Sequence, residues 1–303
     1  MFTYVVRRLL QSTLVAATLL VLVFLVGHII GDPVDLMLPL EAPEELREQM
    51  RRQLGFDQPL PVQFLHFIER VFTGFGESIW QKAPALDIVL DRVTPTLVLA
   101  SATVLFAFPI AIVLGALAAL HPAGWIDRLV TVISLAGIST VDFWLGLLLV
   151  ILFAVQLGLL PTAGYGGIEH LVLPVLALSV RTIGRITQIT RSAMLDEYAK
   201  PYIQVARANG IPEHRVFLHA LKNAAIPVLT IAGDEFASMM GGTFAIETIF
   251  AWPGIGRLLV QSIYHRDLFL IEATAFVIVV IIIAVNLAVD LTYAALDPKV
   301  RYS

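Results

Sequence analysis

Long apolar stretches recur along the chain and dominate its pattern of hydrophobic and polar positions. Nearly uninterrupted runs cover residues 9–30, 95–120, 129–160, 226–246 and 268–289. An α-helix rises about 1.5 Å per residue, so roughly 20 apolar residues cross the ~30 Å hydrocarbon core of a bilayer. A shorter run at 171–180 is followed by three arginines at near-helical spacing. The pattern predicts an all-α integral membrane protein with six transmembrane helices.

The first apolar run follows Arg7 and Arg8 and is 22 residues long. A secretory signal peptide has an apolar region of about 7–15 residues, which ends at a small-residue cleavage site. This run is longer and is followed by Gly31 and Asp32 instead of such a site. We therefore expect residues 1–30 to contain a retained first transmembrane helix.

Lysine and arginine residues in short connecting segments predict the orientation, because such residues accumulate on the cytoplasmic side. Arg7 and Arg8 place the N-terminus in the cytoplasm, and six crossings return Lys299 and Arg301 to the same side. The basic connection at 197–225, between the fourth and fifth helices, is then cytoplasmic. Residues 31–94 form an external segment, and residues 95–303 form a core of five helices.

The external segment has helical signals of its own. Pro43 is expected at the first position of a helix with Glu44 and Glu45 in its first turn, and Gly55 can close that helix. Pro59 and Pro61 precede a second, amphipathic stretch. The simpler interpretation is a small folded cap on the external face. The alternative is a docking surface for a partner or substrate.

The segment 197–225 is too polar to cross a bilayer and is patterned as two short helices. Pro201 suits the first turn of one helix, and Gly210 is placed to end it in the left-handed conformation. One face of this helix is predicted to carry Tyr202, Val205, Ala206 and Asn209. Pro212 and Glu213 open a second helix with an apolar stripe of Val216, Phe217, Ala220, Leu221 and Ala224.

Two interpretations of this amphipathic hairpin remain open on pattern alone. It could lie in the headgroup layer, with its basic side on anionic lipid. It could instead place a helix in a groove of a soluble partner.

Composition supports the membrane assignment and narrows the chemistry. The 303 residues are 58% hydrophobic and 15% charged, with a mean hydropathy of +0.83, whereas soluble domains are about 45–50% apolar and 25% charged. There is no cysteine, which excludes disulfides, thiolate metal sites and cysteine nucleophiles. The net charge of −4 gives no reason to expect a nucleic-acid partner.

Several short motifs, in order along nearly the whole chain, resemble the peptide/nickel permeases of ABC importers, in particular their first ("B-type") permease subunit. The most specific is the stretch from Tyr202 to Ile211, followed by the run from His219 to Pro227. The remaining matches are Tyr4–Leu10, Gly31-Asp32-Pro33, Leu54–Leu60, Phe143–Gly146, Glu247–Gly256 and Leu296-Asp297-Pro298.

This resemblance implies a membrane heterodimer with a second related permease subunit, two cytoplasmic ATPase subunits and an external solute-binding protein. It places the chain in the bacterial cytoplasmic (inner) membrane, with both termini in the cytoplasm. It also implies that ATP and Mg are held by the partner subunits, and that this chain has no cofactor or metal. The implied ATPase-coupling residues are Tyr202, Val205, Ala206, Arg207, Ala208, Asn209, Gly210, Ile211, Pro212 and Glu213.

The chain departs from the family pattern where the solute is concerned. Val141-Asp142 stands where a Pro-Ser pair is common, and residues 74–78 lack an aspartate often found there. Two further departures concern the choice of partner and not the solute: Gln204 and Asn209 replace the usual arginine and lysine in the coupling motif. Di- or oligopeptides are the expected solutes, and nickel, glutathione and sugars are alternatives within such families.

Three acidic residues lie deep in apolar runs, namely Asp142, Asp234 and Glu235. Charged side chains within a bilayer usually face protein or water. They could line the translocation path, where carboxylates would stabilise the ammonium group of a peptide. They could equally form structural ion pairs with Arg181 or Arg185. Sequence alone leaves both interpretations open.

The loop at 250–266 is expected to fold over the mouth of the path, and an external gate there would include Glu247, Trp252, Pro253 and Gly254. Other functions are less well supported. An ion-coupled secondary transporter often shows an inverted repeat, and none is evident. An intramembrane hydrolase would need catalytic partners that the histidines lack. No Walker-type glycine loop is present, so we expect ATP hydrolysis on separate subunits and no enzymatic activity in this chain.

Overall fold

The computed structural model describes residues 2–29, Val34, Leu38 and 42–296. Within these residues the chain is helical, and its contacts divide it into two compact units. The first unit comprises the chain up to Thr96 together with Pro253–Ala284, and the second comprises Leu97–Trp252 together with the chain from Val285 onward. Two long helices therefore contribute to both units.

The first unit contains one long helix and several short ones. These are α1 (Phe2–Ile29), α2 (Glu44–Gln53), α3 (Leu60–Thr73), the first turns of α4 (Ala85–Leu120), α11 (Ile255–Tyr264) and the N-terminal part of α12 (Leu268–Leu296). Its core joins Phe67 and Phe75 of the external segment to Val89, Leu258 and Leu270. Residues 42–94, in the segment predicted to be external, are thus folded around an apolar core of the first unit.

Local signals fix the short helices of this segment as expected. Glu44 and Glu45 occupy the first turn of α2 after Pro43, which is the N-cap residue and not the first helical residue. Gly55 follows α2 with a φ of 72°, and Gly74 ends α3 in the left-handed conformation. Left-handed glycines carry no Cβ penalty, so both helices end without strain.

The second unit holds most of the apolar helices. In chain order they are the remainder of α4, α5 (Trp125–Ser139), α6 (Asp142–Leu149) with a π-helical continuation (Val150–Gln156), α7 (Ile168–Tyr198), α8 (Pro201–Ala208), α9 (Glu213–Gly242) and α10 (Phe244–Ile249). Helix α7 is central, because it packs against α5, α6, α9 and α10. Thirteen of its residues are buried, so its polar composition reflects protein neighbours more than lipid.

Two glycines allow α5 and α7 to approach closely. A Cβ added at Gly184 would lie 2.5 Å from the carbonyl oxygen of Ser134, and one at Gly137 would lie 2.8 Å from that of Val180. Small residues permit this kind of backbone contact between membrane helices. The fourth predicted span, α7, has only a short apolar run in the sequence. Close packing against α5 therefore helps to hold it.

Four of the described helices are long and apolar enough to cross a membrane, at 85–120, 168–198, 213–242 and 268–289. The third apolar run was expected to form one span from 129 to 160, and this expectation was wrong in its simple form. Helices α5 and α6 are separated by a break at Thr140 and Val141 and bend by 96°. Counted as one broken span, the pair makes a fifth candidate.

The second half of the polar hairpin also differs from expectation. A short helix after Pro212 and a separate span from Ile226 were predicted, but α9 runs unbroken from Glu213 to Gly242. Pro227 lies inside this helix, which is tolerated in membrane helices when neighbouring groups satisfy the freed carbonyl. The polar segment is thus continuous with an apolar span.

Candidate functional site

The turn after α8 adopts the conformation that Gly210 predicted. Gly210 has a φ of 73°. The N–H of Ile211 donates to the carbonyl of Ala206 at 3.1 Å, and the N–H of Gly210 donates to that of Arg207 at 3.0 Å. These two bonds form a Schellman motif, which satisfies the last carbonyls of the helix. No atom lies within 4 Å of a Cβ placed on Gly210, so the tip of the turn is open.

Helix α8 is buried through Ile203, whereas the face that carries Tyr202, Val205 and Asn209 is exposed. Ile203 is fully buried and packs with Met194 of α7 and Val216 of α9, and Ala206 is partly buried against the same cluster. Val205 is 58% exposed, and Tyr202 and Asn209 are also exposed. The helix is only eight residues long, so its neighbours α7 and α9 decide which side is covered. Sequence reasoning missed Ile203 for this reason.

An exposed surface, called the coupling surface below, therefore remains on α8 and its turn. Its members are Val205, Arg207, Ala208, Asn209, Gly210, Pro212 and Glu213. Arg207 donates to both carboxylate oxygens of Glu213, at 2.8 and 3.2 Å. These bonds raise the pKa of Arg207, and its guanidinium lies 5.8 Å from the ring centroid of Tyr198. The predicted apolar stripe of α9 is confirmed beneath this surface, with Val216, Ala220 and Ala224 buried.

A polar network that the sequence did not reveal fixes α8 between its neighbours. Glu197, near the end of α7, is buried and accepts hydrogen bonds from Lys200 Nζ and from Tyr202 Oη, the latter at 2.7 Å. Asn223 Nδ2 of α9 donates to the same Tyr202 oxygen at 3.0 Å. Burial raises the pKa of Tyr202, and its hydrogen bond to Glu197 raises it further. One tyrosine hydroxyl thus links three helices.

The intramembrane acidic residues lie against arginines of α7. Arg181 Nε donates to Asp142 Oδ2 at 3.2 Å, whereas Asp142 Oδ1 is buried without a hydrogen-bond partner among the described residues. Arg185 is bonded through one nitrogen to Glu235, which is fully buried, and through the other to Asp234 at 3.1 Å. Each of the three carboxylates is thus in an ion pair with an arginine. The single guanidinium of Arg185 joins the adjacent carboxylates of Asp234 and Glu235.

These pairs are only partly withdrawn from solvent. The side chains of Arg181 and Arg185 are 37% and 41% exposed, and that of Asp234 is 58% exposed. Glu235 differs, because its other oxygen lies 3.5 Å from Thr182 Oγ1 in a buried position. Removing one member of a buried pair leaves an uncompensated charge, which costs ~3–5 kcal/mol. Of these three acidic residues, Glu235 thus has the largest structural role.

The proposed gate residues fall in two different settings. Glu247 is buried in α10 and its carboxylate accepts from Thr243 Oγ1 at 3.2 Å. Trp252 is also buried, and its ring meets Tyr165 edge to face at 4.8 Å. Pro253 and Gly254 belong to the first unit, where Gly254 is the N-cap of α11. The segment expected to be a loop at 250–266 is therefore largely helical.

No group of three or more potential metal-ligating side chains occurs within the described ranges. Two of the motifs noted in the sequence, Gly31-Asp32-Pro33 and Asp297-Pro298, lie outside those ranges, as do Lys299 and Arg301.

Comparisons with known proteins agree with this arrangement. Residues 111–302 match the family described as the binding-protein-dependent transport system inner membrane component. Residues 1–100 match the N-terminal model for membrane components of the same systems. The chain is 40% identical over 305 aligned residues to the glutathione transport system permease protein GsiC of Salmonella typhimurium, with all of both chains covered. It is equally similar to the protein of that name from Escherichia coli K12, again over the full length of both.

Proposed function

This chain belongs to the family of binding-protein-dependent transport system inner membrane components, and from that premise we propose that it forms half of the translocation path of an ATP-driven importer for small peptides. As a family member it is a membrane permease of an ABC importer, a transport component and not an enzyme. We take di- or oligopeptides as the solute class. Glutathione, itself a peptide, is the first solute to test because it appears in the names of similar permeases.

The coupling surface is the observation that carries the proposal. It is exposed, its turn is closed by two backbone hydrogen bonds, and it is joined to α7 and α9 through Tyr202. A surface that must transmit force needs a defined shape and firm connections to the moving element. Lying flat in the headgroup layer would require neither the open turn nor the network behind it.

We assign this surface to docking on a cytoplasmic ATPase subunit. ATP and Mg are held by two such subunits, and their closure would displace α8. Because α9 is continuous from Glu213 to Gly242, a displacement at its N-terminal end reaches the membrane without passing through a loop. Helix α7 moves with it through Glu197. The result is rigid-body rocking of the spans, with the path open alternately to each side.

The complete importer would contain a second related permease, two ATPases and an external solute-binding protein. The family name already implies the binding protein and the ATPases, whereas the heterodimer is our proposal. We further propose six spans in the inner membrane, with α1 and the bent pair α5–α6 each counted once and both termini in the cytoplasm. The segment 31–94 would then face outward, towards the binding protein.

The arginine–carboxylate pairs are candidates for lining the path. Asp142 has one buried oxygen with no partner in the described chain, and Asp234 is more than half exposed. Asp234 could exchange its arginine for the ammonium group of a peptide at little cost, since more than half of its side chain is exposed. Asp142 could accept a further hydrogen bond through its second oxygen. Glu235, fully buried, is better suited to holding Arg185 in place. The gate assignment of Glu247, Trp252, Pro253 and Gly254 remains part of this proposal.

Reconstitution tests the proposed function. The chain is coexpressed with the second permease and the two ATPases of its own transport system, purified and placed in proteoliposomes with the binding protein. We expect copurification of all four subunits and uptake of a labelled peptide or glutathione that requires ATP. Uptake driven by an ion gradient without ATP would instead identify a secondary transporter, and failure to copurify with ATPases would overturn the proposal.

A further inference from the structure

An apolar groove of ≈ 580 Å³ lies along α9 in the second unit. Phe108 and Ile112 of α4 line it, together with residues of α9 between Leu218 and Leu229. Among its described lining residues, Lys222 is the only one with a charged side chain. The volume lies within the ~300–1,000 Å³ of ligand pockets, which usually combine apolar walls with a few placed polar groups.

One stripe of α9 forms the face of the helix towards this groove. Leu218, Lys222, Ala225 and Leu229 all line it, and their spacing of four, three and four residues puts them on one side of a helix. Leu218 is 57% exposed, and Lys222 and Ala225 are exposed as well. The described residues therefore leave most of this stripe open, with the lysine next to apolar positions.

The walls of the groove belong to two packed apolar clusters. Val228 is buried with neighbours in α4 and α7, and Phe108 and Ile112 pack against the same cluster. Ala224 is buried in the other cluster, which includes Ile203 of α8. The small side chains at 224 and 225 fill little space between the clusters, so a groove remains. Walls held in this way are ordered before a ligand arrives, which lowers the entropic cost of binding.

Lys222 lies where α9 changes from polar to apolar sequence. Arg215 and His219 precede it, and the apolar run begins at Ile226. No ion pair joins Lys222 to another residue of the described chain. In the proposed orientation this is the cytoplasmic surface of the bilayer, where basic groups between membrane helices bind anionic lipid headgroups. The apolar stem of a lysine can follow the groove while its ammonium group reaches such a headgroup.

We propose that this groove binds an acyl chain of an anionic phospholipid, whose phosphate is held by Lys222. Such a lipid matches both features of the site, because its chain complements the apolar walls and its charge complements the lysine. An apolar membrane helix of another subunit would match the walls alone and leave the ammonium group without a counter-charge. The cytoplasmic position of Lys222, and with it the choice of a membrane lipid, rests on the proposed function.

Competitive lipid binding to the purified complex tests this site. The complex of both permeases and both ATPases is stripped of lipid in detergent and incubated with equal amounts of dioleoyl phosphatidylglycerol and dioleoyl phosphatidylcholine. The two probes have the same chains, so a difference in retention reports the headgroup. Native mass spectrometry then counts the lipids that each complex retains. We expect the wild type to retain phosphatidylglycerol in preference to phosphatidylcholine.

Two variants separate the charge of the site from its shape. Lys222→Gln should weaken retention of one phosphatidylglycerol per complex about five-fold, the effect of one basic residue at a membrane surface, and leave phosphatidylcholine unchanged. Ala225→Phe fills the groove at an exposed position and should reduce retention of both lipids. Arg128→Gln and Val132→Phe are the matched controls, since both residues are exposed in the same unit and do not line the groove. Both should retain lipid as the wild type does.

Four results would overturn the inference. They are equal retention of the two lipids by the wild type, unchanged retention in Lys222→Gln, an equal loss in Arg128→Gln, and unchanged retention in Ala225→Phe. If Ala225→Phe instead loses the second permease from the complex, the groove is covered by protein and the inference also fails. In all these cases the wild type still copurifies with ATPases and takes up solute with ATP, which separates failure here from failure of the proposed function.

Discussion

The left-handed turn at Gly210 permits a prediction that separates the effect of side-chain size from that of backbone strain. Gly210 has a φ of 73°, and nothing lies within 4 Å of a Cβ placed there. A Cβ at this position therefore meets no steric obstacle among the described residues. The cost of a substitution comes from holding an L-residue in the left-handed region, about 1–2 kcal/mol. Asparagine tolerates that region better than other residues.

In the series Gly210→Asn, Gly210→Ala and Gly210→Val, the loss of ATPase binding and uptake should therefore follow how poorly each residue tolerates the left-handed region. It should not follow the volume of the side chain. A cost of 1–2 kcal/mol corresponds to a roughly 5–30-fold loss of the correctly closed turn, because about 1.4 kcal/mol changes an equilibrium constant ten-fold. We expect the valine variant to bind the ATPase subunits weakly and to lose ATP-dependent uptake by a similar factor. The asparagine variant should remain close to the wild type, with alanine between them.

The assay measures three quantities for each variant in the same membranes: abundance of the chain, ATPase subunits recovered with it, and uptake. Abundance should stay constant, since Gly210 itself is exposed and contributes no buried contact among the described residues. Full uptake and ATPase recovery in the valine variant would refute the coupling assignment. Asparagine as damaging as valine would refute the strain argument, because the loss would then follow the added side chain on an interface.

Three further predictions follow from the ion pairs, the helix packing and the topology. Glu235→Gln should lower the abundance of the chain in the membrane, since breaking a buried ion pair costs ~3–5 kcal/mol. Asp234→Asn, at an exposed side chain, should keep abundance and affect only uptake. If immunoblots show the reverse order of abundance, the pairing is contradicted. Gly184→Val should also reduce abundance, because its Cβ would meet a backbone oxygen at 2.5 Å. Gly242→Val is the control and should keep abundance, since a Cβ there meets no described atom within 4 Å. Equal abundance of the two variants would argue against close packing of α5 and α7. A reporter inserted beside Gly210 should read as cytoplasmic and one in α2 as external, and the opposite result would invert the proposed orientation.

Features encoded by single residues and their immediate neighbours could be read from the sequence. The left-handed glycines after α2 and α8, the start of α8 at Pro201 and the apolar stripe of α9 need only local geometry, and the structure has them as expected. The membrane character is likewise a local property, since the length of an apolar run decides whether a helix can cross the bilayer. The motifs near Gly210 carried the resemblance to the permease family.

Features that depend on which helices meet could be decided only by the tertiary structure. Asp142 and Arg181 are 39 residues apart in sequence, and no local pattern distinguishes their pairing from an open carboxylate in a path. Ile203 is buried because α7 and α9 flank α8 on that side, although Tyr202 and Val205 have equally good helical spacing. The third apolar run bends by 96° between α5 and α6, and both of these helices pack against α7. Hydropathy averages along the chain and cannot register direction, so continuity of apolar residues did not mean continuity of the helix.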